Sequence, residues 1–420
     1  MFLETLAEHE IFATFLALAL LLASAYLCGR LMELLRAPKV IGEILGGMIF
    51  GSTCLHYFFP EAMEGIFLAY PEEGKVLNLF YQLGLVFLMF SSGFNTKLAL
   101  EKENRKLVCL VFLGATVLPI LAALPFAGLF EPYFIGTRGN EVSFLLVFVI
   151  GVAITSIPVI SKIFFDMGIM NTPFANTVLT VSTIQDLCLW ILLNAATLIA
   201  STGTVEFGPL LVVVAATCGL FVIVQWLAWR LQGILRPKRR ATDFYTISFV
   251  ALLLFAALLQ RVGINMMYTA FLVGYMVKAL SQKDPAASAR MQAAADFSFS
   301  LFVPVYFALV GIQLNLLHQF SWQRFLLFFL VAFGLEAVGT AVVLWFTKLR
   351  RKTVINFAVT MNARGGPGIV LATVAYSAQI INIEFFTVLI LLTMLSSLLA
   401  GYWLRYQQRK DPVVFTNLTR

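Results

Sequence analysis

Gln185 and Asp186 interrupt the apolar stretch "TVSTIQDLCLWILL" (Thr180 to Leu193). A carboxylate at the middle of a bilayer costs about 2.5–3.5 kcal/mol, so it persists where it faces a protein interior or a watery cavity and does chemistry there. One carboxylate is neutral when it holds one proton or one monovalent cation. A cation with part of its hydration shell removed needs hard oxygen ligands and a compensating charge. Asp186 supplies the charge, and Gln185 a neutral oxygen. Three more ionisable residues, Glu43, Glu336 and Arg364, fall inside apolar stretches. Two of those stretches look broken. One reads "GVAITSIPVISKI", with Thr155, Ser156 and Pro158; the other reads "TMNARGGPGIVLA", with Gly365, Gly366 and Pro367. Proline has no N–H and glycine favours unwinding. Unwound backbone at membrane depth is tolerated only where protein or a cavity satisfies it. Its carbonyls, with the hydroxyls of Thr155 and Ser156, would add neutral oxygens to the site.

The elements that must carry these residues are membrane spans. Of 420 residues, 60% are hydrophobic and 12% charged, a balance that identifies an integral membrane protein. Apolar segments are expected near 11–29, 40–55, 76–94, 107–128, 142–165, 173–199, 209–232, 243–260, 264–280, 296–316, 323–348, 353–378 and 384–406, thirteen in all. The positive-inside rule supports an outside N-terminus and an inside C-terminus. With that topology the outside loops hold only Lys75, Arg138, Arg261 and Arg324, and Arg364 lies within a span. The rest of the 29 Lys and Arg residues fall in inside loops, including Lys97, Lys102, Lys162, Arg236, Lys238, Arg239, Arg240, Lys283, Arg405 and Arg420.

Depth then gathers the charges. Asp186 lies about 13 residues into the sixth span, Arg364 about 11 into the twelfth and Glu336 about 12 into the eleventh, all roughly mid-membrane at ~1.5 Å per residue. The broken fifth and twelfth spans run in opposite directions, the relation an inverted repeat requires. Interrupted helices in corresponding parts of two halves point to a transporter binding site.

Other classes find little support. The first ten residues carry Glu4, Glu8 and Glu10 without a basic residue, so no secretory signal is read. Cys28, Cys54, Cys109, Cys188 and Cys218 have neither metal nor disulfide spacing and are expected to fill the core. His9, His56 and His318 are isolated. The net charge of +7 comes from short loops rather than a nucleic-acid surface. No glycine-rich nucleotide loop occurs, and nothing reads as an enzyme. About fourteen residues follow the last span, so the chain is expected to form a single membrane domain, 1–420, without a soluble regulatory domain.

Five strings, in order, resemble the monovalent cation:proton antiporter superfamily, its second branch in particular. They are "PKVIGEILGGMIFG" (Pro38 to Gly51, with Gly42 and Glu43), "LGLVFLMFSSGFNTKL" (Leu83 to Leu98), "AITSIPVISKIF" with "GIMNTPFANTVLTVSTIQD" (Ala153 to Asp186), "VPVYFALVGIQLNL" (Val303 to Leu316) and "MNARGGPGIVLA" (Met361 to Ala372). The resemblance covers about Pro38 to Gly401. It departs at Phe94 and Asn95, where the family usually has Leu-Glu. It implies an all-α polytopic NhaA/NapA-like antiporter fold with two crossing broken helices. It also implies a homodimer, a core of about 76–199 and 296–406 moving like an elevator, and a dimerisation scaffold of about 11–55 and 209–280. Asp186 would alternate between cation and proton, Thr155 and Ser156 would lend oxygens, and Gly42 and Glu43 would be structural.

Electrogenic relatives carry Asp-Asp where this chain has Gln185 and Asp186, and commonly a Lys where Glu336 aligns. One proton per cation, with no net charge moved, is therefore expected. Gln-Asp pairs resemble the ligand-gated, Kef-type potassium efflux antiporters, so K⁺ is the first choice and Na⁺ the second. Arg364 is expected to balance helix-end charge and neighbouring carboxylates. Glu336 would pair with it or serve as a second carboxylate. The expected partners are the cation, the proton, membrane lipid, a second copy of the chain and a separate cytoplasmic regulatory subunit, with no nucleic acid and no resident cofactor. The expected location is the bacterial inner membrane. The alternative is an antiporter-fold sensor or gated efflux component controlled by a separate chain. A cation channel and an organic-anion transporter fit the broken helices and Asp186 less well.

Overall fold

The computed structural model describes residues 5–95, 105–234, 241–261, 263–281, 285–317, 319–411 and 413–418. Lys97, Lys102, Arg236, Lys238, Arg239, Arg240, Lys283 and Arg420 of the expected inside loops lie outside the described residues, as do the last three positions of the Leu83 to Leu98 string. Among the described residues the chain is helical, and an isolated antiparallel bridge joins Ile135 and Ile381. Nine helices there are long and apolar enough to cross a membrane. The outward faces of several carry large apolar side chains, such as Leu326, Leu330, Val338 and Val342 along one helix, as expected of surface that meets lipid. None of the five cysteines is a buried core residue; Cys109 and Cys218 are exposed, because a thiol is apolar enough to face lipid.

The chain divides into two groups of contacts. The first comprises Met1–Phe94, Ala228–Ala256 and Thr269–Phe320. It contains α1 (Glu8–Leu34), α2 (Lys39–Met48), the short α3 (Leu55–Phe58) and α4 (Pro60–Phe67), and α5 (Glu73–Asn95). The segment expected at 40–55 is helical only to Met48. In α2 the glycines permit close approach on two sides. A Cβ on Gly42 would overlap the Cys28 carbonyl of α1, and one on Gly47 would overlap the Ala308 carbonyl of α15 (Phe302–Ile312). Gly311 of α15 packs reciprocally on the Ile44 carbonyl. Glu43, 5% exposed, pairs with Lys39 one turn earlier on the same helix, at 3.1 Å.

The second group, Asn95–Leu227, Ala257–Tyr268 and Ser321–Arg420, carries the chemistry. Its helices are α6 (Arg105–Phe112), α7 (Leu118–Phe134), α8 (Glu141–Val152), α9 (Ile157–Asp166), α10 (Pro173–Thr202), α16 (Trp322–Trp345), α17 (Arg351–Met361), α18 (Gly366–Ser377) and α19 (Ile383–Lys410). Most of α11 (Phe207–Ile234) also belongs to the second group, whereas α14 (Pro285–Ser300) and most of α12 (Ala241–Arg261) and α13 (Met266–Ser281) belong to the first. Within the second group Phe134 stacks on Phe385 at 4.6 Å, and Phe148 and Phe328 meet at 5.3 Å. At another point Phe174 contacts Phe357 at 4.5 Å and Phe415 at 5.1 Å.

α10 starts on Thr172, whose side chain accepts from the Ala175 N–H, with Pro173 at its first position, and ends on Gly203 in the left-handed conformation (φ 72°). Those caps fix a 30-residue helix long enough to place Asp186 near its middle. α6 and α7 are joined by one π-turn, Leu113–Val117. Its cause is legible: Pro119 has no N–H to give the Ala115 carbonyl four residues earlier, so the turn widens and that carbonyl is released.

Candidate ion site and the helix crossing

Both expected breaks are present. α8 gives way to α9 across Ala153–Ser156, and α17 to α18 across Asn362–Gly365. The two unwound segments touch. The Ser156 N–H donates to the Ala363 carbonyl at 2.8 Å, and the Thr155 hydroxyl donates to the Met361 carbonyl. A Cβ on Gly365 would overlap Ser156 Oγ, so glycine is required by proximity. Pro158 and Pro367 sit in the first turns of α9 and α18, where a missing N–H costs nothing. Gly366 has open space around its Cβ position.

Arg364 reaches across this junction. Its Nε donates to the Gly151 carbonyl at 3.2 Å, and its Nη2 donates to the carbonyls of Val152 and Ala332, so a cation seats on the negative end of α8. Nη1 donates to Asn362 Oδ1 at 3.1 Å. Nη2 also pairs with Glu336 Oε2 at 2.8 Å, with the two side chains 1% and 0% exposed. Every nitrogen of the guanidinium is engaged by protein, which leaves it poorly placed to hold a transported ion. Glu336 Oε1 lies 3.4 Å from the Thr155 hydroxyl.

α10 packs against α8, α9, α17 and α18, and so runs beside both broken helices. Asp186 is 3% exposed, its Oδ1 has no hydrogen-bond partner, and it makes no ion pair among the described residues. Gln185 is held by the released backbone: its Nε2 donates to Thr116 Oγ1 at 2.8 Å and to the Ala115 carbonyl at 3.3 Å. That anchoring leaves Gln185 Oε1 buried and without a partner. Ser182 Oγ is a third such atom. Positions 182, 185 and 186 share one helix face, so three unsatisfied oxygens gather on it. Buried polar atoms without partners are rare and each calls for a ligand, an ion or water.

The structure therefore brings Arg364, Glu336 and Thr155 into one bonded cluster and Gln185, Asp186 and Ser182 onto one face. No hydrogen bond joins the two sets among the described residues. Ser156 Oγ accepts from the Val159 N–H as the cap of α9. Sequence reasoning passed over Ser182, Thr116 and Asn362. The four-residue spacing of Ser182 from Asp186 was the available signal for the first; nothing local marked the other two.

An α-helical membrane protein with two broken helices crossing beside a buried carboxylate has the build of an ion-coupled carrier. The chain belongs to the sodium/hydrogen exchanger transmembrane family, whose model matches residues 18–406. It is 22% identical over 375 residues to cation/H(+) antiporter 15 of Arabidopsis thaliana, covering 86% of this chain and 44% of that one. It is 25% identical over 386 residues to K(+)/H(+) antiporter 1 of Saccharomyces cerevisiae, covering 87% and 43%. The chain thus spans less than half the length of these relatives. The solved sodium proton antiporter MjNhaP1 of Methanocaldococcus jannaschii shares its fold, with a TM-score of 0.67, 19% identity and coverage of 96% and 99%.

Proposed function

We propose that the chain is a secondary active transporter that exchanges one monovalent cation, K⁺ before Na⁺, for one proton. The observation that carries this reading is the face of α10, where Ser182 Oγ, Gln185 Oε1 and Asp186 Oδ1 are buried without partners. The face holds one charge, which either a proton or a monovalent cation neutralises. If the empty, charged form crosses slowly, the two must exchange.

Family membership and the antiporters named among the relatives support the reading. Gln185 is a neutral amide fixed by Thr116, so the pair contributes one negative charge rather than two. Arg364 is already matched by Glu336, so one-for-one exchange moves no net charge. The same proposal includes thirteen spans with the N-terminus outside and the C-terminus inside, two-fold assembly with a second copy, and an elevator-like displacement of the ion-carrying part. It also places the protein in a plasma membrane. The yeast relative's name favours K⁺ and the archaeal structure's name favours Na⁺, so selectivity is best measured directly.

The test is dissipation of an imposed pH gradient in proteoliposomes, compared for K⁺, Na⁺, Li⁺ and Rb⁺. K⁺ and Na⁺ are expected to collapse the gradient, and Asp186→Asn to abolish the effect. Retained exchange in that variant would sink the assignment.

A further inference from the structure

The first group of contacts holds a cavity that the transport reading leaves unused. Its volume is about 350 Å³, at the lower end of the range for ligand pockets. It lies where α2 ends and the short α3 and α4 lead the chain into α5, with α15 forming a further wall. Phe67, Leu77, Tyr81 and Leu309 line its buried side, and Phe50, Met63 and Ile312 extend the apolar wall. Gln313 also lines it, but its amide nitrogen donates to the Leu309 carbonyl at 3.1 Å. The exposed side is polar. Asn78 is exposed there, and His56 Nε2 lies 3.6 Å from Glu64 Oε1, with side chains 36% and 58% exposed. An apolar interior with a few polar groups at its rim suits an amphiphile, tail inside and head at the rim.

The surroundings say which amphiphile. Tyr57, Phe58 and Phe59 follow His56 and are 50%, 67% and 60% exposed, and Leu68 at the cavity edge is 62% exposed. α3 and α4, of four and eight residues, are too short to cross a bilayer. On α4, Met63 and Phe67 line the cavity while Glu61 is exposed. Exposed aromatic side chains beside charged ones belong at the membrane–water boundary, where amphipathic helices lie in the plane. The cavity therefore opens where membrane lipid is the abundant amphiphile. Charge then selects among lipids. From Leu55 to Gly74 the chain carries Glu61, Glu64, Glu72 and Glu73 and no Lys or Arg. Such a segment repels a headgroup whose only charge is its phosphate and attracts one that ends in an ammonium. We propose that this cavity binds one acyl tail of a phospholipid of the phosphatidylethanolamine kind, whose ammonium pairs with Glu64 at the rim. The site does not depend on the exchange reading.

The full chain in detergent micelles is irradiated with a phosphatidylethanolamine that carries a diazirine in one acyl chain, and the labelled residues are mapped by mass spectrometry. Met63, Leu77 and Leu309 are expected to label several-fold more densely than Leu326 and Leu330, which are exposed apolar residues of α16. Unlabelled phosphatidylethanolamine should displace the probe about threefold more effectively than phosphatidylglycerol, the size of one exposed ion pair. Glu64→Gln should remove that preference. Gly74→Phe should cut the cavity label several-fold, because a Cβ at this lining position meets only Leu68 Cδ2, at 3.6 Å, and no backbone. Both positions are exposed, so both variants are expected to unfold at the parent's temperature. Label no denser in the cavity than on α16, or unchanged by Gly74→Phe, overturns the site. Equal displacement by the two lipids, or a preference that survives Glu64→Gln, overturns the headgroup assignment.

Discussion

Arg364→Met tests how the crossing is held together. The substitution removes the donor from the Gly151, Val152 and Ala332 carbonyls and strands Glu336, which is 0% exposed. Removing one partner of a buried pair costs about 3–5 kcal/mol. The two helix-end carbonyls add about 1 kcal/mol each. A loss of about 5 kcal/mol or more is expected. Glu336→Leu should cost less, about 3 kcal/mol, because Arg364 keeps its backbone acceptors. Exchanging a buried pair for apolar groups is often close to neutral, so the double variant should lose chiefly the carbonyl contribution, about 2 kcal/mol rather than the sum of about 8. Reversible unfolding in mixed micelles, titrated with dodecyl sulfate, measures all four corners of the cycle. A double variant that costs the sum of the singles to within about 0.5 kcal/mol would refute the pairing as the organising contact. So would a loss below about 1 kcal/mol for Arg364→Met.

Thr116→Val removes the 2.8 Å anchor of Gln185 Nε2; it should raise the cation KM several-fold while costing only about 1 kcal/mol of stability, read from exchange and unfolding together. Gln185→Asp puts a second carboxylate beside Asp186 and should create a transient current on a solid-supported membrane where the parent gives none; a parental current would refute electroneutral exchange. Gly311→Ala drives a Cβ into the Ile44 carbonyl and should destabilise by about 1–3 kcal/mol in the same unfolding titration.

The charged part of the site was legible because charge in an apolar stretch is costly and therefore conspicuous. Asp186, Arg364 and Glu336 stand out on that ground alone. The breaks were legible because Pro158 and the Gly365, Gly366, Pro367 run contradict a continuous helix. Helix ends were close as well: the span expected at 173–199 forms Pro173–Thr202, bounded by the Thr172 cap and Gly203. What escaped depends on contact between distant segments. Thr116 matters only because Pro119 opens a π-turn and α10 brings Gln185 to it, 69 positions away. Thr155 looked like a free oxygen donor, yet its hydroxyl is committed to Met361, 206 positions on. The segment expected at 40–55 read as one span, while its helix stops at Met48.

The bond between the Ser156 N–H and the Ala363 carbonyl has an evolutionary corollary. Each residue added to an unwound linker can displace the helix that follows it by up to about 3.3–3.6 Å. One insertion between Ala153 and Ser156, or between Asn362 and Gly365, would swing a half-helix off its partner and carry Arg364 away from the end of α8. Homologous chains can drift far in identity and still keep this junction, provided the number of residues in each linker stays constant. In divergent sequences alignment gaps should therefore fall anywhere but there.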